Sequence, residues 1–468
     1  MMKSNDHFFQ SVCALAIPVA LQSMLQSSFS MVDQIMIGQL GEIQVAGVGL
    51  AGKFASIYAV LISAIGAAAG IMISQYLGQE NNRGVRQSFF ANLNRGVRQS
   101  FFANLLLSGG IAGIFTAVCI LFPERIMGAY TRDAQTRQTA AEYLALISGT
   151  FVPMAGAALL STLLRCRERP RLPLYASIAA ALLNTGLNYI LIFGKLGLAP
   201  MGIKGAAIAT VLSQCANLLL MLLMLPRALL ARTENEPQRA LLAQFHWRQY
   251  LSLLLPLLVC EAMWSLGENV YAAIYGHIST DASAAMTLTN PVQGVVIGAL
   301  CGLSQAAGVI IGKRLGRGET EDAYWAAKRL LIYGLAGALM LSAAVMLLSG
   351  VYVKLYQVEE TVKATARQLL FAYALVVPFK VLNMILGGGI LRSGGQTKYV
   401  MFIDGIGTWC CGVPLGLLSA FVLRLPVAWG YFLLSLEECL RFGFSMAVFR
   451  GKKWMRRLDA GAQPSGLP

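Results

Sequence analysis

Charge is what this 468-residue chain has least of: only 13% of its residues are Asp, Glu, Lys or Arg, against roughly a quarter in an average soluble domain. So few polar side chains cannot coat a water-soluble globule of this size, whereas lipid accepts apolar side chains on the outside of a fold. The strict alternation of an outer-membrane barrel is missing too, and apolar runs of 20 to 30 residues stand where a barrel needs strands of about ten. Leu- and Ala-rich runs of that length must be helical, because hydrocarbon offers no partner to an open backbone N–H or C=O. Nor is there a Walker lysine motif, an HExxH, a GxSxG or a kinase set, which excludes a built-in nucleotide-driven pump and leads us to expect neither an enzyme nor a bound cofactor.

The nine cysteines lie mostly inside apolar runs and never in CxxC spacing. They read as packing residues, with no disulfide framework and no metal site. The N-terminal MMKSNDHFFQS leads into an apolar stretch that contains Pro18 and runs to about Ile37 without a small-residue cleavage site, so it reads as a retained first helix.

What the chain does contain is written twice. A shift of 238 lays Pro18 on Pro256, Gly38 on Gly276, Ala46 on Ala284, Ala68, Ala69 and Gly70 on Ala306, Ala307 and Gly308, and Gly78 on Gly316, with no gap over about sixty residues. Proline and glycine at fixed offsets mark backbone events, so the chain reads as two related halves. A second pair agrees: VPMAGAALLSTLLRCRERP from Val152 resembles VPFKVLNMILGGGILRSGGQT from Val377. Apolar periodicity predicts twelve helices, over 10–37, 45–75, 97–122, 137–162, 171–194, 203–226, 247–276, 283–312, 323–349, 363–389, 397–422 and 428–450. The fold class is thus an all-α polytopic membrane protein, two pseudo-symmetric six-helix lobes at 1–226 and 247–450 joined by a linker at 227–246 and followed by a tail at 451–468. An even number of helices between the related segments means that both halves face the membrane the same way, as in parallel-repeat transporters.

The formal net charge of +15 is spread over alternate connections. Arg165, Arg167, Arg169 and Arg171 follow helix four; Lys313, Arg314 and Arg317 follow helix eight; Lys452, Lys453, Arg456 and Arg457 follow helix twelve. The bias puts both termini in the cytoplasm, and its dispersal, with no recognition module, excludes nucleic acid as a partner. The tail from Gly451 reads as disordered. One feature breaks the pattern: NRGVRQSFFANL occurs at 82–93 and again, letter for letter, at 94–105. Twelve residues make about 3.3 helical turns, and the insertion is expected to add an amphipathic helical stretch on the cytoplasmic side.

Ionisable groups inside apolar spans mark ion paths, polar cavities or internal pairs. Asp33 lies near the outer end of helix one, Glu261 near the middle of helix seven with Glu268 seven residues on, Lys380 in helix ten and Asp404 in helix eleven. Glu437 and Glu438 in helix twelve read instead as acids paired within the bundle. Asn184 and Asn188 sit one turn apart on helix five, and Tyr271, Asn290 and Asn383 lie in or beside apolar spans, where side-chain amides either join helices or coordinate cations. Gly387, Gly388 and Gly389 lack the following lysine and serine of a phosphate loop and read as close helix packing.

Ala16, Ile17 and Pro18, then Val32 and Asp33, IGQLG at Ile37–Gly41, SQYLG at Ser74–Gly78, LNTGLNYILIFG at Leu183–Gly194, GIKGAAIAT at Gly202–Thr210 and GILRSGGQT at Gly389–Thr397 together resemble the multidrug and toxic compound extrusion family of cation-coupled drug exporters. The resemblance spans nearly the whole chain. It implies two six-helix lobes around a cleft that opens alternately to each side of the bacterial inner membrane, exchanging protons or sodium ions for small organic cations or amphiphiles, and a monomer in lipid. It also implies that Asp33, Asn184, Asn188 and Glu261 serve cation coupling, leaving Glu268, Tyr271, Asn290, Lys380, Asn383 and Asp404 as candidates for the substrate cavity. Departures from the family pattern are Asn188 where some members carry an acid, Lys380 with no acid from Phe379 to Asn383, and Gln396 where an aspartate is usual. They leave the ion open between proton and sodium. The alternative is a flippase of lipid-linked precursors with a related fold.

Overall fold

The computed structural model describes residues 2–81, 95–225, 245–278, 280–354 and 359–458, and among them the chain is helical with no strand. Twelve long helices follow in order: α1 Met2–Gly38, α2 Glu42–Asn81, α3 Arg95–Leu121, α4 Ala134–Cys166, α5 Arg171–Phe193, α6 Gly202–Met224, α7 Trp247–Ile278, α8 Thr280–Arg317, α9 Thr320–Lys354, α10 Glu360–Leu391, α11 Thr397–Val422 and α12 Val427–Arg450. Eleven of them contain a stretch long and apolar enough to cross a membrane. The twelfth, α12, has 24 residues and carries Glu437, Glu438 and Arg441 near its middle.

Local chemistry explains the ends and the irregularities. The Asp133 carboxylate caps α4 by accepting from the Thr136 N–H at 2.7 Å, which satisfies one of the four orphan donors of a helix start. Within α10, residues Met384–Leu391 widen into a π-helical turn. There Ser304 donates to the Met384 carbonyl at 2.6 Å, and a side chain at Gly389 would run into the Ser304 backbone of α8. Close packing is therefore the role of that glycine. The outer face of α9 shows the solvent the fold expects: Ile332, Leu339, Met340, Leu347 and Leu348 are exposed while Ala327, Leu330, Ala338 and Val345 on the same helix are buried. A helix apolar on both faces belongs in lipid.

By its internal contacts the chain forms two compact units, one of Met1–Met24, Ser74–Arg83 and Trp247–Pro468, the other of Leu25–Ile73 and Gly84–His246. The grouping thus gives the first part of α1 and the last turns of α2 to the unit built from the second half. In that unit Ser342 of α9 donates to the Ala374 carbonyl of α10 at 2.7 Å, over a core that includes Leu330, Ala338, Leu370, Tyr373 and Val377. In the other, the Tyr58 hydroxyl donates to the Phe151 carbonyl at 2.6 Å and the two rings stack at 4.3 Å. Lipid tails are as apolar as leucine, so such packing and hydrogen bonds, rather than water exclusion, hold the helices together.

The end of α2 joins the larger unit through a crossing that follows the repeat. A methyl group on Gly78 would overlap the Lys313 carbonyl, one on Gly316 would overlap the Gln75 carbonyl, and one on Gly312 would strike the Ser74 side chain. Positions 78 and 316, 75 and 313, and 74 and 312 are each 238 apart. The contact is therefore reciprocal, and the pseudo-two-fold axis passes through the Ser74–Gly312 pair. Small residues four apart, Ser74 and Gly78 against Gly312 and Gly316, let the two backbones touch.

One expectation, the helix over 97–122, holds, and one changes. Of the repeated dodecapeptides, residues 82–94 lie outside the described residues, but Arg95–Leu105 form the first turns of α3 and fully bury Val97, Ser100, Ala103 and Asn104. That copy is part of a packed helix, because its small and polar side chains recur on one face at helical spacing. The segment after α12 is not disordered up to Leu458: Trp454 is completely buried and Leu458 nearly so, since an indole and a backbone rich in partners outweigh the basic residues between them. The expected linker at 227–246 lies mostly, and the tail beyond Leu458 wholly, outside the described residues.

Candidate ion-coupling sites

Asn184 and Asn188 owe their position to a stripe. Ala176, Ala180, Asn184, Asn188 and Ile192 recur every four residues along α5 and are all buried. The two amides in that stripe have to be hydrogen-bonded. Asn188 donates to the Asp33 carboxylate of α1 at 2.6 Å and to the Asn184 carbonyl at 3.2 Å. Asn184 in turn donates to the Thr210 hydroxyl of α6 at 3.4 Å, which itself donates to the Ala206 carbonyl at 2.9 Å. Asp33 is half-buried at the head of this ladder, with buried Tyr143 of α4 within electrostatic reach.

In the unit built from the second half the expected residues fall into two groups. Glu261 of α7 accepts from Arg392, at the end of α10, at 3.1 Å, and both side chains are mostly buried. The same guanidinium reaches the Cys260 sulfur at 3.1 Å, and the Cys260 thiol donates to the Asp404 carboxylate of α11 at 2.8 Å. Two acids thus share one arginine, and Cys260 bridges polar groups in addition to filling space. Any cation arriving at Glu261 has to displace a built-in one.

The second group surrounds α12. The Tyr271 hydroxyl donates to Glu437 at 2.6 Å, and the Asn383 amide donates to the Glu438 carboxylate at 2.8 Å and its carbonyl at 2.7 Å. Arg441 lies 3.9 Å from each glutamate and donates to the Thr408 hydroxyl. Room for these side chains comes from α11, whose Gly407 leaves space for Arg441 and whose Gly412 leaves space for Glu437 and Tyr271, along a π-helical turn at Ile406–Gly412. Such turns recur at functional sites. Lys380 is half-buried within electrostatic reach of Glu438, Glu268, Tyr431 and Tyr373, while Glu268 and Asn290 are exposed on α7 and α8.

The structure therefore joins Asp33, Asn184 and Asn188; joins Glu261 and Asp404; and links Tyr271 and Asn383 through Glu437, Glu438 and Arg441. Asn290 has no bond to these groups. Sequence reasoning did not single out Arg392 or Arg441 as partners. For Arg441 a signal existed, because it follows Glu437 and Glu438 by four and three residues, the spacing of neighbours on one helical face; for Arg392 none did.

The MatE family model matches residues 18–190 and again 256–418, each match opening on one of the paired prolines Pro18 and Pro256. Uncharacterized transporter YisQ of Bacillus subtilis is 22% identical over 464 residues, covering 98% of this chain and 97% of YisQ. A probable multidrug resistance protein NorM of Bradyrhizobium diazoefficiens is 27% identical over 430 residues, 89% of this chain and 87% of its own. Among solved structures, a mutant of the Vibrio cholerae MATE transporter VcmN has the same fold, with a TM-score of 0.84 at 16% identity over 97% of this chain and 99% of that one.

Proposed function

Because the chain belongs to the MatE family of multi-pass membrane transporters, we propose that it is a secondary antiporter that exports small organic cations or amphiphiles in exchange for protons or sodium ions by alternating access. The relatives named for multidrug resistance support the substrate class. One observation carries the coupling: the half-buried Asp33 carboxylate is bonded at 2.6 Å to an amide inside a continuous ladder through α5 and α6. Protonation of Asp33, or a cation bound to it, changes what Asn188 can donate to and alters the packing of α1 on α5. Coupling requires the ion to bind one facing of the transporter more tightly than the other; equal affinity would shift nothing. In this reading Glu261, held by Arg392, orders the second half, and the basic connections keep both termini on the cytoplasmic face of the bacterial inner membrane.

The test is efflux of a fluorescent organic cation from membrane vesicles under separately imposed proton and sodium gradients, with wild type, Asp33→Asn and Glu261→Gln side by side. Asp33→Asn is expected to lose gradient-driven export by about tenfold or more, equivalent to about 1.4 kcal/mol. Normal export by both variants refutes the assignment. Dependence of lipid-headgroup translocation, instead of dye export, on Asp33 turns the reading to a flippase.

A further inference from the structure

The chain does not stop working where its last helix ends. After Arg450, Lys452 adopts a left-handed backbone with φ +56, a conformation costly for a residue with a Cβ, and the segment turns back onto its own unit. Its indole at Trp454 is wholly buried, donates to the Phe449 carbonyl at 3.1 Å and stacks on Phe449. Gly394, in the connection between α10 and α11, has no space for any side chain, because the Trp454 carbonyl occupies it. Gly395 beside it has φ +74 and packs against Leu458. The paired glycines of this connection are thus shaped to receive the C-terminal segment.

The other end of the attachment is α2. Gln75 is fully buried, and its side chain is used completely: it donates to the Ser393 carbonyl at 2.7 Å and the Arg456 carbonyl at 3.1 Å, and accepts from the Leu458 N–H at 2.7 Å. One turn on, Gln79 donates to the Leu458 carbonyl at 2.8 Å. Positions 75 and 79 are occupied in the second half, 238 residues on, by Lys313 and Arg317, so the attachment breaks the repeat. It grips the stretch of α2, residues 74–81, that is grouped with the second half, immediately after the helix leaves the other unit at Ile73.

We propose that Gly451–Leu458 is a releasable latch on α2: while seated it pins the α2 end to the α10–α11 connection, and it must detach from Gln75 and Gln79 for the transporter to open toward that end of the bundle. Its construction suits detachment. Only Trp454 and Leu458 are buried, whereas Lys452, Lys453, Arg456 and Arg457 are exposed, so its hold comes down to two side chains, an exposed Lys452–Glu321 ion pair and a few hydrogen bonds to its backbone that water can replace. The proposal rests on the alternating-access reading given above.

The test is a Gln79→Cys, Leu458→Cys pair in a chain that keeps the buried Cys260 and has its other eight native cysteines replaced, treated in membrane vesicles with a short thiol-specific cross-linker. Cross-linked protein is expected to lose gradient-driven dye efflux by about tenfold or more, with recovery on cleavage of the link and no effect of the reagent on either single cysteine. Full efflux by cross-linked protein overturns the proposal, and so does failure of the pair to link under conditions that label each cysteine alone. Efflux by the unlinked pair reports separately on the antiport reading, so the two can fail independently. As a second measurement, Trp454→Ala is expected to speed hydrogen exchange in residues 74–81 of the folded protein by about tenfold or more relative to α9; unchanged exchange there refutes the latch.

Discussion

Alanine at Gly78 and at Gly316 should cost the same and, when combined, much less than twice as much. Each added methyl meets the backbone carbonyl of the facing helix, Lys313 in one case and Gln75 in the other. A helical carbonyl cannot rotate away as a side chain does, so the axes of α2 and α8 must part locally. Overpacking of this kind costs about 1–3 kcal/mol. Because the two contacts are related by the pseudo-two-fold axis, separation of the helices for one methyl already admits the other, and the double variant should fall well short of the sum. Gly294→Ala on the same α8, with nothing within 4 Å of the new carbon, serves as a control; helix propensity there favours alanine by roughly 0.5–1 kcal/mol. The measurement is unfolding by denaturant in detergent, followed by helix signal and by size-exclusion of the folded peak. Clearly unequal single effects, or an additive double variant, refute the reciprocal crossing.

Arg392→Met removes the cation shared by Glu261 and, through Cys260, Asp404, and should destabilise by about 3–5 kcal/mol as a broken buried pair; Glu261→Gln should cost clearly less, since Arg392 keeps an oxygen acceptor, and denaturant midpoints of the two variants compare them directly. Tyr271→Phe deletes the 2.6 Å bond to Glu437 and should cost about 1.5–3 kcal/mol, the range for a hydrogen bond to a charged group, read from the same titration; a cost near zero would show the bond to be idle. At the start of α4, bonding to Thr136 holds the Asp133 carboxyl below its usual pKa. A depressed acid stabilises fully above its unfolded pKa and loses that contribution as pH falls through the folded one, so wild type and Asp133→Ala should differ at neutral pH and converge at low pH, in thermal melts across an acid series.

How much of this was legible beforehand differs from element to element. Twelve helices follow from run length alone, since hydrocarbon forces any apolar run of that size into a helix, and even α12, with three charges at its centre, keeps the apolar flanks that mark it. The i, i+4 spacing of Asn184 and Asn188 put them on one face, but their link to Asp33 joins residues 155 apart, and nothing local to either reports the other. Likewise Tyr271 and Glu437 are 166 residues apart. A shift of 238 lays Tyr271 on Asp33, which says nothing of its partner. The segment after α12 was misread because its composition is basic and its burial rests on one indole and on glutamines of a distant helix. Composition reports what a segment could do in water, and here its contacts with Gly394 and Gln75 decide.

The assignment of the first part of α1 and the last turns of α2 to the unit of the second half bears on how the protein can be taken apart. A gene divided between residues 226 and 247 cuts the polypeptide where the sequence repeat suggests, yet the fragment from Trp247 onward lacks Met1–Met24 and Ser74–Arg83, which complete its unit. Synthesised alone, it would expose Gly312 and Gly316 where Ser74 and Gln75 belong. Two separately encoded halves should therefore assemble only when made in the same membrane, each completing the other as a split protein does, and a descendant arising from one half by gene fission would first have to acquire substitutes for those two helix ends.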